Sequence, residues 1–143
     1  MVLNFKKLDD KAKLPTKGSL ESAGLDLCII EDVDILPLGS AIIRTGLSMA
    51  MPRGFVGLIW PRSKLSAKHG AQISAGVIDS DYRGEIMIAM RNSSDRMLEL
   101  RIGDKAAQMV VQRHYSDAEI VEVEELDLTE RAGNGVNSSE LRG

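Results

Sequence analysis

Short apolar runs separated by turn residues are the feature that most restricts the fold of this 143-residue chain. Ile42-Ile43 precedes a Thr-Gly pair, Phe55 to Trp60 follows a Pro-Arg-Gly turn, and Ile86 to Met90 precedes Asn-Ser-Ser-Asp. Repeated short strands at this spacing are typical of a sandwich or barrel, whereas a βαβ fold alternates strands with longer helices. The sequence therefore predicts an all-β fold of one domain.

Three segments depart from this pattern of short strands and turns. Ser63 to His69 predicts one short helix, because lysines and small residues follow Pro61 without β-branched side chains. Alternation in Glu119 to Glu124 predicts a half-buried strand. The polar tail is rich in Gly, Ser and Asn, so we divide the chain into a folded domain, residues 1–130, and a flexible arm, residues 131–143.

Charge and composition exclude several classes of protein. The net charge is −3, with 21 acidic against 18 basic residues, so the basic surface of a nucleic-acid-binding protein is missing and no direct nucleic-acid binding is expected. No stretch approaches the roughly 18 apolar residues of a membrane span, and no export signal is visible. The single cysteine, Cys28, cannot form an intrachain disulfide. We expect a soluble intracellular protein of the cytoplasm or nucleus, without a membrane partner.

The densest group of reactive side chains lies in residues 76–85, which read Gly-Val-Ile-Asp-Ser-Asp-Tyr-Arg-Gly-Glu. An apolar strand enters an acidic turn and a second strand, Ile86 to Met90, leaves it. This pattern predicts a β-hairpin whose open end presents Asp79 and Tyr82. The plainer interpretation is that the aspartates form the turn and Tyr82 packs on a strand end, and the hairpin taken alone favours it.

A second segment, Pro61 to Ser66, places a hydroxyl beside a guanidinium at the start of the predicted helix. Free N–H groups and the helix dipole favour anions there, so Arg62 and Ser63 are candidates for phosphate binding. A lone Arg-Ser pair is nevertheless more often a capped helix with a solvated arginine. Segments 23–27 and 103–110 are weak signals, because an isolated Asp after Gly usually marks a turn or hairpin, and a Gly-rich tail is usually only flexible.

Taken together, the order and spacing of these five segments closely resemble the five motifs of the trimeric dUTPase family, over nearly the whole chain. Ala23 to Leu27 resembles the first motif, Pro61 to Ser66 the second, Gly76 to Glu85 the third and Gly103 to Val110 the fourth. The fifth is degenerate. The family has Arg-Gly and then Gly-Gly-Phe-Gly-Ser-Thr-Gly, whereas here Arg131 is followed by Ala-Gly-Asn-Gly-Val-Asn-Ser-Ser, without the aromatic and two of the glycines.

The resemblance implies a distorted β-barrel or jelly roll with one short helix, assembled as a homotrimer with shared active sites. It implies hydrolysis of dUTP to dUMP and pyrophosphate, which limits uracil incorporation into DNA and supplies dUMP for dTMP synthesis. Asp79 matches the carboxylate that accepts a proton from the water attacking the α-phosphorus. Tyr82 matches the aromatic ring that packs against the deoxyribose and leaves no room for a 2′-hydroxyl.

The same resemblance implies the remaining contacts of the substrate. The backbone would form the uracil pocket at Ala75, Gly76, Val77, Ile78 and Met87. The triphosphate would meet Arg62, Ser63, Lys64 and Gln108, where Lys64 replaces the usual glycine. From the arm, Arg131 would pair with the γ-phosphate and Ser138 and Ser139 with the terminal phosphates, whereas Val136 and Asn137 replace the stacking aromatic and a glycine. The triphosphate would chelate Mg²⁺, and Asp26 would hold a metal-bound water rather than the metal.

Two other functions remain open from the sequence. The related dCTP deaminases share the fold, but the intact third motif favours hydrolysis. A dUTPase-like regulator that binds nucleotide and controls partner proteins fits the eroded fifth motif, because fold alone does not fix function. The retained Asp79 favours chemistry, since a protein that only binds nucleotide has no need of a base for water.

Overall fold

The computed structural model describes residues 1–133, in which β-strands dominate. The strands are β1 (Asn4–Lys7), β2 (Gly24–Cys28), β3 (Val33–Ile35), β4 (Ser40–Ala50), β5 (Phe55–Pro61), β6 (Ala71–Ala75), β7 (Val77–Ile78), β8 (Glu85–Asn92), β9 (Leu98–Leu100) and β10 (Lys105–Arg113), and the helix α1 is Ser63–His69. The predicted all-β class and the position of the single short helix are confirmed. None of the helical structure in this range is long and apolar enough to cross a membrane.

The strands form two four-stranded sheets and a two-stranded ribbon, all with antiparallel pairing. The first sheet has the order β1-β4-β8-β6, the second β2-β10-β5-β7, and the ribbon is β3-β9. Alternate residues of the strands point into one shared core, as the strand periodicity requires. Its fully buried members include Leu27, Ile43, Leu47, Ile88 and Met109.

The chain crosses between the two sheets at Gly76. β6 pairs with β8, whereas β7 pairs with β5, with Ile78 opposite Gly57. Ile59 donates its backbone N–H to the Gly76 carbonyl at 2.7 Å, and a Cβ at Gly76 would lie 2.7 Å from the Ile59 oxygen. The predicted hairpin is therefore wrong in its first strand. Val77 and Ile78 do not pair with β8, because they pair with β5 of the other sheet.

The predicted strand over Glu119 to Glu124 is also wrong. β10 ends at Arg113, and residues 114–133 contain no strand. Ile120 is 98% exposed and Val123 is 56% exposed. Alternating apolar residues make a strand only when a neighbouring strand supplies hydrogen bonds and a surface to cover, and no strand of residues 1–133 pairs with this segment.

One buried amide joins the first sheet to the β3-β9 ribbon. The Asn92 side chain is completely buried and donates to the carbonyls of Ile35 at 3.0 Å, Leu36 at 3.3 Å and Arg96 at 2.7 Å. Its oxygen accepts from the N–H and the hydroxyl of Ser94. A buried polar group is tolerated only when it is satisfied in this way, so Asn92 fixes how the ribbon sits against β8.

We expect Asn92→Ala to be among the more destabilising single changes in this chain. It leaves buried carbonyls without donors, and the free energy of unfolding should fall by roughly 2–4 kcal/mol. Ser93→Ala is the matched control, because its hydroxyl bond to Gly70 is exposed and should cost under about 1 kcal/mol. Urea unfolding at one fixed protein concentration compares the two, and equal losses would contradict the role of Asn92.

Candidate functional site

Three neighbouring strands bring most of the predicted phosphate-binding residues into one surface cleft. In the sheet order β2-β10-β5, Gln108 of β10 faces Asp26 of β2 on one side and Trp60 of β5 on the other. The chain then leaves β5 and enters α1. A cleft of about 350 Å³ forms there, lined by Gly18, Ser22, Gly24, Asp26, Arg62, Ser63, Lys64 and Gln108. We call it the cationic cleft.

The charges of this cleft are organised around one buried carboxylate. Only 12% of the Asp26 side chain is exposed, and its two oxygens face Arg62 Nε at 3.1 Å and Lys105 Nζ at 2.9 Å. Arg62 also donates to the Lys105 carbonyl at 3.4 Å. Arg62 and Lys105 thus pair with one anion while Lys64 lines the same cleft, and the excess positive charge suits a polyphosphate.

Arg62 is the N-cap residue of α1 but makes no side-chain cap hydrogen bond. Its guanidinium has no acceptor with which to cap the helix, and its pairing with Asp26 argues against the plainer interpretation of a capped helix with a solvated arginine. Ser63 and Lys64, the first two residues of the helix, are exposed beside it. The segment thus directs a guanidinium, a hydroxyl and an ammonium toward the same cleft.

Lys105 was missed among the predicted site residues. The only sequence signal was its position inside the fourth segment, directly after Asp104. Its contact with Asp26 depends on the pairing of β10 with β2, where Lys105 faces Cys28. That pairing joins residues almost eighty positions apart, and local sequence patterns do not specify it.

The side chain of Gln108 crosses over Gly24. Its Nε2 donates to the Pro61 carbonyl at 3.0 Å, which connects β10 to the start of the segment Pro61 to Ser66. A Cβ at Gly24 would overlap Gln108 Oε1 and lie 3.1 Å from Gln108 Cβ. Only glycine therefore leaves room for the Gln108 amide in the cationic cleft.

Asp79, the predicted base, lies in a different cleft of the same chain. This second cleft of about 630 Å³ is lined by Met51, Arg53, Asp79, Ser80, Asp81, Arg83, His114 and Ser116. Asp79 is exposed, and its carbonyl accepts the Tyr82 N–H at 3.1 Å, which closes the turn. Arg83 braces the turn by donating to the carbonyls of Ser80 at 2.8 Å and Tyr82 at 2.9 Å.

The predicted base-binding segment lines a third cleft. Ala75, Gly76 and Val77 form one wall of an apolar cleft of about 510 Å³, and residues 58–61 and 72–74 form the rest. Ile78 is half-buried on β7, and Met87 is half-buried on β8 opposite Arg44 of β4. Some backbone groups here already form hydrogen bonds within the chain, since the Gly76 carbonyl accepts from the Ile59 N–H.

The predicted site residues therefore lie on separate surfaces of one chain. Asp26, Arg62, Ser63, Lys64 and Gln108 come together, whereas Asp79 does not join them. Tyr82 is 43% exposed on the turn beside Asp79. Arg131 lies in an exposed turn near the end of residues 1–133. The predictions for Val136, Asn137, Ser138 and Ser139 fall outside the described residues.

The strand order places the chain in the class of all-β domains, with a surface cleft lined by Asp26 and by cationic and polar side chains. The sequence profile of the dUTPase family matches residues 10–140. The deoxyuridine 5'-triphosphate nucleotidohydrolase of Kluyveromyces lactis is 43% identical over 128 residues, covering 90% of this chain and 86% of that protein. That of Wolinella succinogenes is 42% identical and covers 97% and 94%. This chain belongs to the dUTPase family.

The human mitochondrial deoxyuridine 5'-triphosphate nucleotidohydrolase is 40% identical over 97% of this chain, which spans 55% of that longer protein. Among solved structures, the dUTPase of Staphylococcus bacteriophage 80alpha with dUPNHPP has a TM-score of 0.89 at 27% identity, covering 98% and 99% of the two chains. The D95N dUTPase of phage phi11 has a TM-score of 0.80 and 27% identity, and it is described as coordinating a structural Mg(II) ion.

We expect Gly24→Ala to displace Gln108 from the cationic cleft and to weaken binding of inorganic triphosphate by about tenfold, the scale of one lost hydrogen bond. Gly18→Ala is a matched control in the same cleft, because a Cβ there meets only Ser22 Oγ at 3.5 Å. Titration calorimetry measures both affinities. Equal affinities for the two variants would show that Gln108 does not need the space over Gly24.

Proposed function

We propose that this chain hydrolyses dUTP to dUMP and pyrophosphate, and thereby limits uracil incorporation into DNA and supplies dUMP for dTMP synthesis. The observation that carries the proposal is the cationic cleft, in which the first, second and fourth of the predicted segments meet. Membership of the dUTPase family and relatives named deoxyuridine 5'-triphosphate nucleotidohydrolase at about 40% identity support it. We place the activity in the cytoplasm or nucleus.

The cationic cleft would bind the triphosphate. Asp26 holds the Arg62 guanidinium and the Lys105 ammonium in place, so both are oriented before the substrate arrives. The N–H groups of Arg62 that face away from Asp26 can donate to phosphate oxygens, as can Ser63 and the Gln108 amide. Lys64 adds an ammonium at the mouth of the cleft, where family members usually carry glycine. These groups stabilise the charge that develops on the leaving pyrophosphate.

The residues of the cleft fit a magnesium ion carried by the triphosphate. Mg²⁺ prefers oxygen ligands and keeps several of its waters, and a carboxylate oxygen with two lone pairs can accept from such a water while it is paired with a cation. Asp26 supplies that carboxylate, half surrounded by Arg62 and Lys105. When bound, the ion neutralises phosphate charge. The phage phi11 structure with Mg(II) is consistent with magnesium in this fold.

Asp79 would act as the general base. Its exposed carboxylate stands on a turn held by the Tyr82 N–H and by Arg83. It would accept a proton from the water that attacks the α-phosphorus, while the bond from that phosphorus to the bridging oxygen breaks and pyrophosphate leaves. Tyr82, three residues further along the same turn, would pack on the deoxyribose and exclude a 2′-hydroxyl.

Uracil would be recognised by backbone groups at the crossing between the sheets. Peptide donors and acceptors of residues 75–78, together with Met87 on β8, would copy a base pair, and cytosine would leave them unpaired. The Gly76 carbonyl is held by Ile59, which fixes the orientation of its peptide groups. Rigid backbone is well suited to this role because it cannot rotate to accommodate the wrong base.

We propose that the complete site forms only in a homotrimer. Asp79 and Arg62 line different clefts of one chain, so a neighbouring copy would have to supply one of them. Exposed apolar side chains at Ile120, Leu126 and Leu128 also favour cover by another copy. A closed cyclic arrangement satisfies both requirements. The arm, residues 131–143, would then reach the substrate with Arg131, Ser138 and Ser139, whereas Val136 cannot stack on uracil.

A second candidate function follows from the eroded fifth segment, in which the stacking aromatic is absent. Phage 80alpha dUTPases of similar fold are described as controlling the transfer of virulence genes. A nucleotide-binding regulator of this kind would bind dUTP with weak turnover, and a dCTP deaminase would release ammonia from dCTP. Assays of pyrophosphate release from dUTP, UTP, dTTP and dCTP, with ammonia measured in parallel, distinguish the three.

We expect Asp79→Asn to lower kcat for dUTP by roughly 10²–10⁴, because the base is lost while the shape of the turn is kept. The affinity for dUPNHPP should change little. Asp95→Asn, in an exposed turn beyond β8, is the control and should keep normal turnover. Pyrophosphate release measures kcat. Near-normal turnover of Asp79→Asn would assign the base elsewhere.

A further inference from the structure

Glu85 occupies the point where the acidic turn joins β8, and nothing in the proposed chemistry uses it. It is the first residue of β8, directly after Gly84. Only 20% of its side chain is exposed, although the neighbouring Asp79, Asp81 and Tyr82 all face solvent. A carboxylate that is withdrawn from water at the end of an exposed turn requires specific partners.

The partners of Glu85 lie in an irregularity of the facing strand. β4 and β8 pair regularly from Ser40 to Arg44, and the register then shifts before Ser48, which faces Glu85. The Glu85 carboxylate fills this bulge: it accepts the Gly46 N–H at 2.8 Å and faces Arg44 Nε at 3.2 Å. These contacts replace the ladder hydrogen bonds that the bulge interrupts.

A buried hydroxyl fixes the other side of the same bulge. Thr45 is fully buried and donates its hydroxyl to the Ile86 carbonyl at 2.6 Å, and the same oxygen accepts the Leu47 N–H at 3.2 Å. The side chain of Glu85 and the carbonyl of Ile86 are thereby both anchored to β4. Glu85 has little freedom to move relative to the core.

The backbone carbonyl of Glu85 connects this fixed position to Tyr82. The Tyr82 phenol donates to the Glu85 carbonyl at 3.0 Å, and the Tyr82 N–H donates to Asp79. The ring lies against Gly84, where a Cβ would overlap the phenol oxygen. A continuous set of hydrogen bonds therefore runs from the β4 bulge through Glu85 to the tyrosine and then to the backbone of Asp79.

We propose that Glu85 is a positioning residue that sets sugar selectivity by holding Tyr82 in place from the β4 bulge. This inference rests on the proposed function, since it concerns the tyrosine that excludes ribonucleotides there. The proposed chemistry gives Glu85 no contact with the substrate or with the reacting atoms. It acts because its carboxylate fixes the carbonyl to which the phenol donates, and a phenol free to swing away leaves space for a 2′-hydroxyl.

The first experiment compares kcat/KM for dUTP and for UTP in the parent protein and in Glu85→Ala. The ratio of the two constants should fall about tenfold, mainly through a lower KM for UTP, because the ring no longer blocks the 2′ position. Glu85→Gln should recover part of the ratio, since its amide oxygen still accepts from Gly46 while the ion pair with Arg44 is lost.

Glu31→Ala is the matched control for a purely structural effect. The Glu31 carboxylate accepts the Arg44 N–H at 2.9 Å, so its removal disturbs β4 near the same bulge without touching the acidic turn. It should lower stability and leave the dUTP to UTP ratio unchanged. In a Tyr82→Phe background, Glu85→Ala should change the ratio little, because both substitutions release the same ring.

A second measurement does not depend on catalysis. The chain has two tyrosines, and Tyr115 is 88% exposed, so 3-fluorotyrosine labelling gives two ¹⁹F resonances that Tyr82→Phe assigns. In Glu85→Ala the Tyr82 resonance should narrow and move toward that of Tyr115.

An unchanged Tyr82 resonance, or an unchanged nucleotide ratio in a protein that hydrolyses dUTP, would overturn the inference. A parent protein without dUTP hydrolysis would instead refute the proposed function, and the resonance would still decide the positioning.

Discussion

The close contact of Gly76 with Ile59 is the constraint on which the arrangement of the site depends. It transfers the chain from the sheet that contains β8 to the sheet that contains β5, at a point where no side chain fits. The acidic turn therefore begins on one sheet and ends on the other. This geometry carries Asp79 away from the cationic cleft and onto a separate surface of the same chain.

The two aspartates of the proposed chemistry, Asp26 and Asp79, differ in their exposure to water and in their partners. Asp26 is largely withdrawn from water and holds two cations, so the cationic cleft is organised for charge binding. Asp79 is exposed on its turn, with its carboxylate open to a water molecule. A buried, paired carboxylate orients its neighbours, whereas an exposed one can exchange a proton, and the proposed chemistry would use one of each.

Local patterns predicted the parts of the fold that depend on nearby residues. The helix at Ser63–His69 and the strands around Phe55 and Ile88 follow from composition and apolar runs. The partner of Val77 was mispredicted because it is decided by a tertiary contact, and the strand at 119–124 because its partner is missing in residues 1–133. Resemblance to the family selected the site residues. Lys105 and Glu85 were missed, since their contacts depend on pairing between distant strands.

In the proposed trimer, Arg62 and Asp79 would act on one substrate from different copies of the chain. Arg62→Ala and Asp79→Asn chains, each inactive alone, can be co-expressed with two different tags and purified through both. In a cyclic trimer that contains both variants, one site in three joins an intact Arg62 to an intact Asp79, so dUTP hydrolysis should return to about one third of the parent rate. Mixed assemblies as inactive as either variant alone would contradict the account.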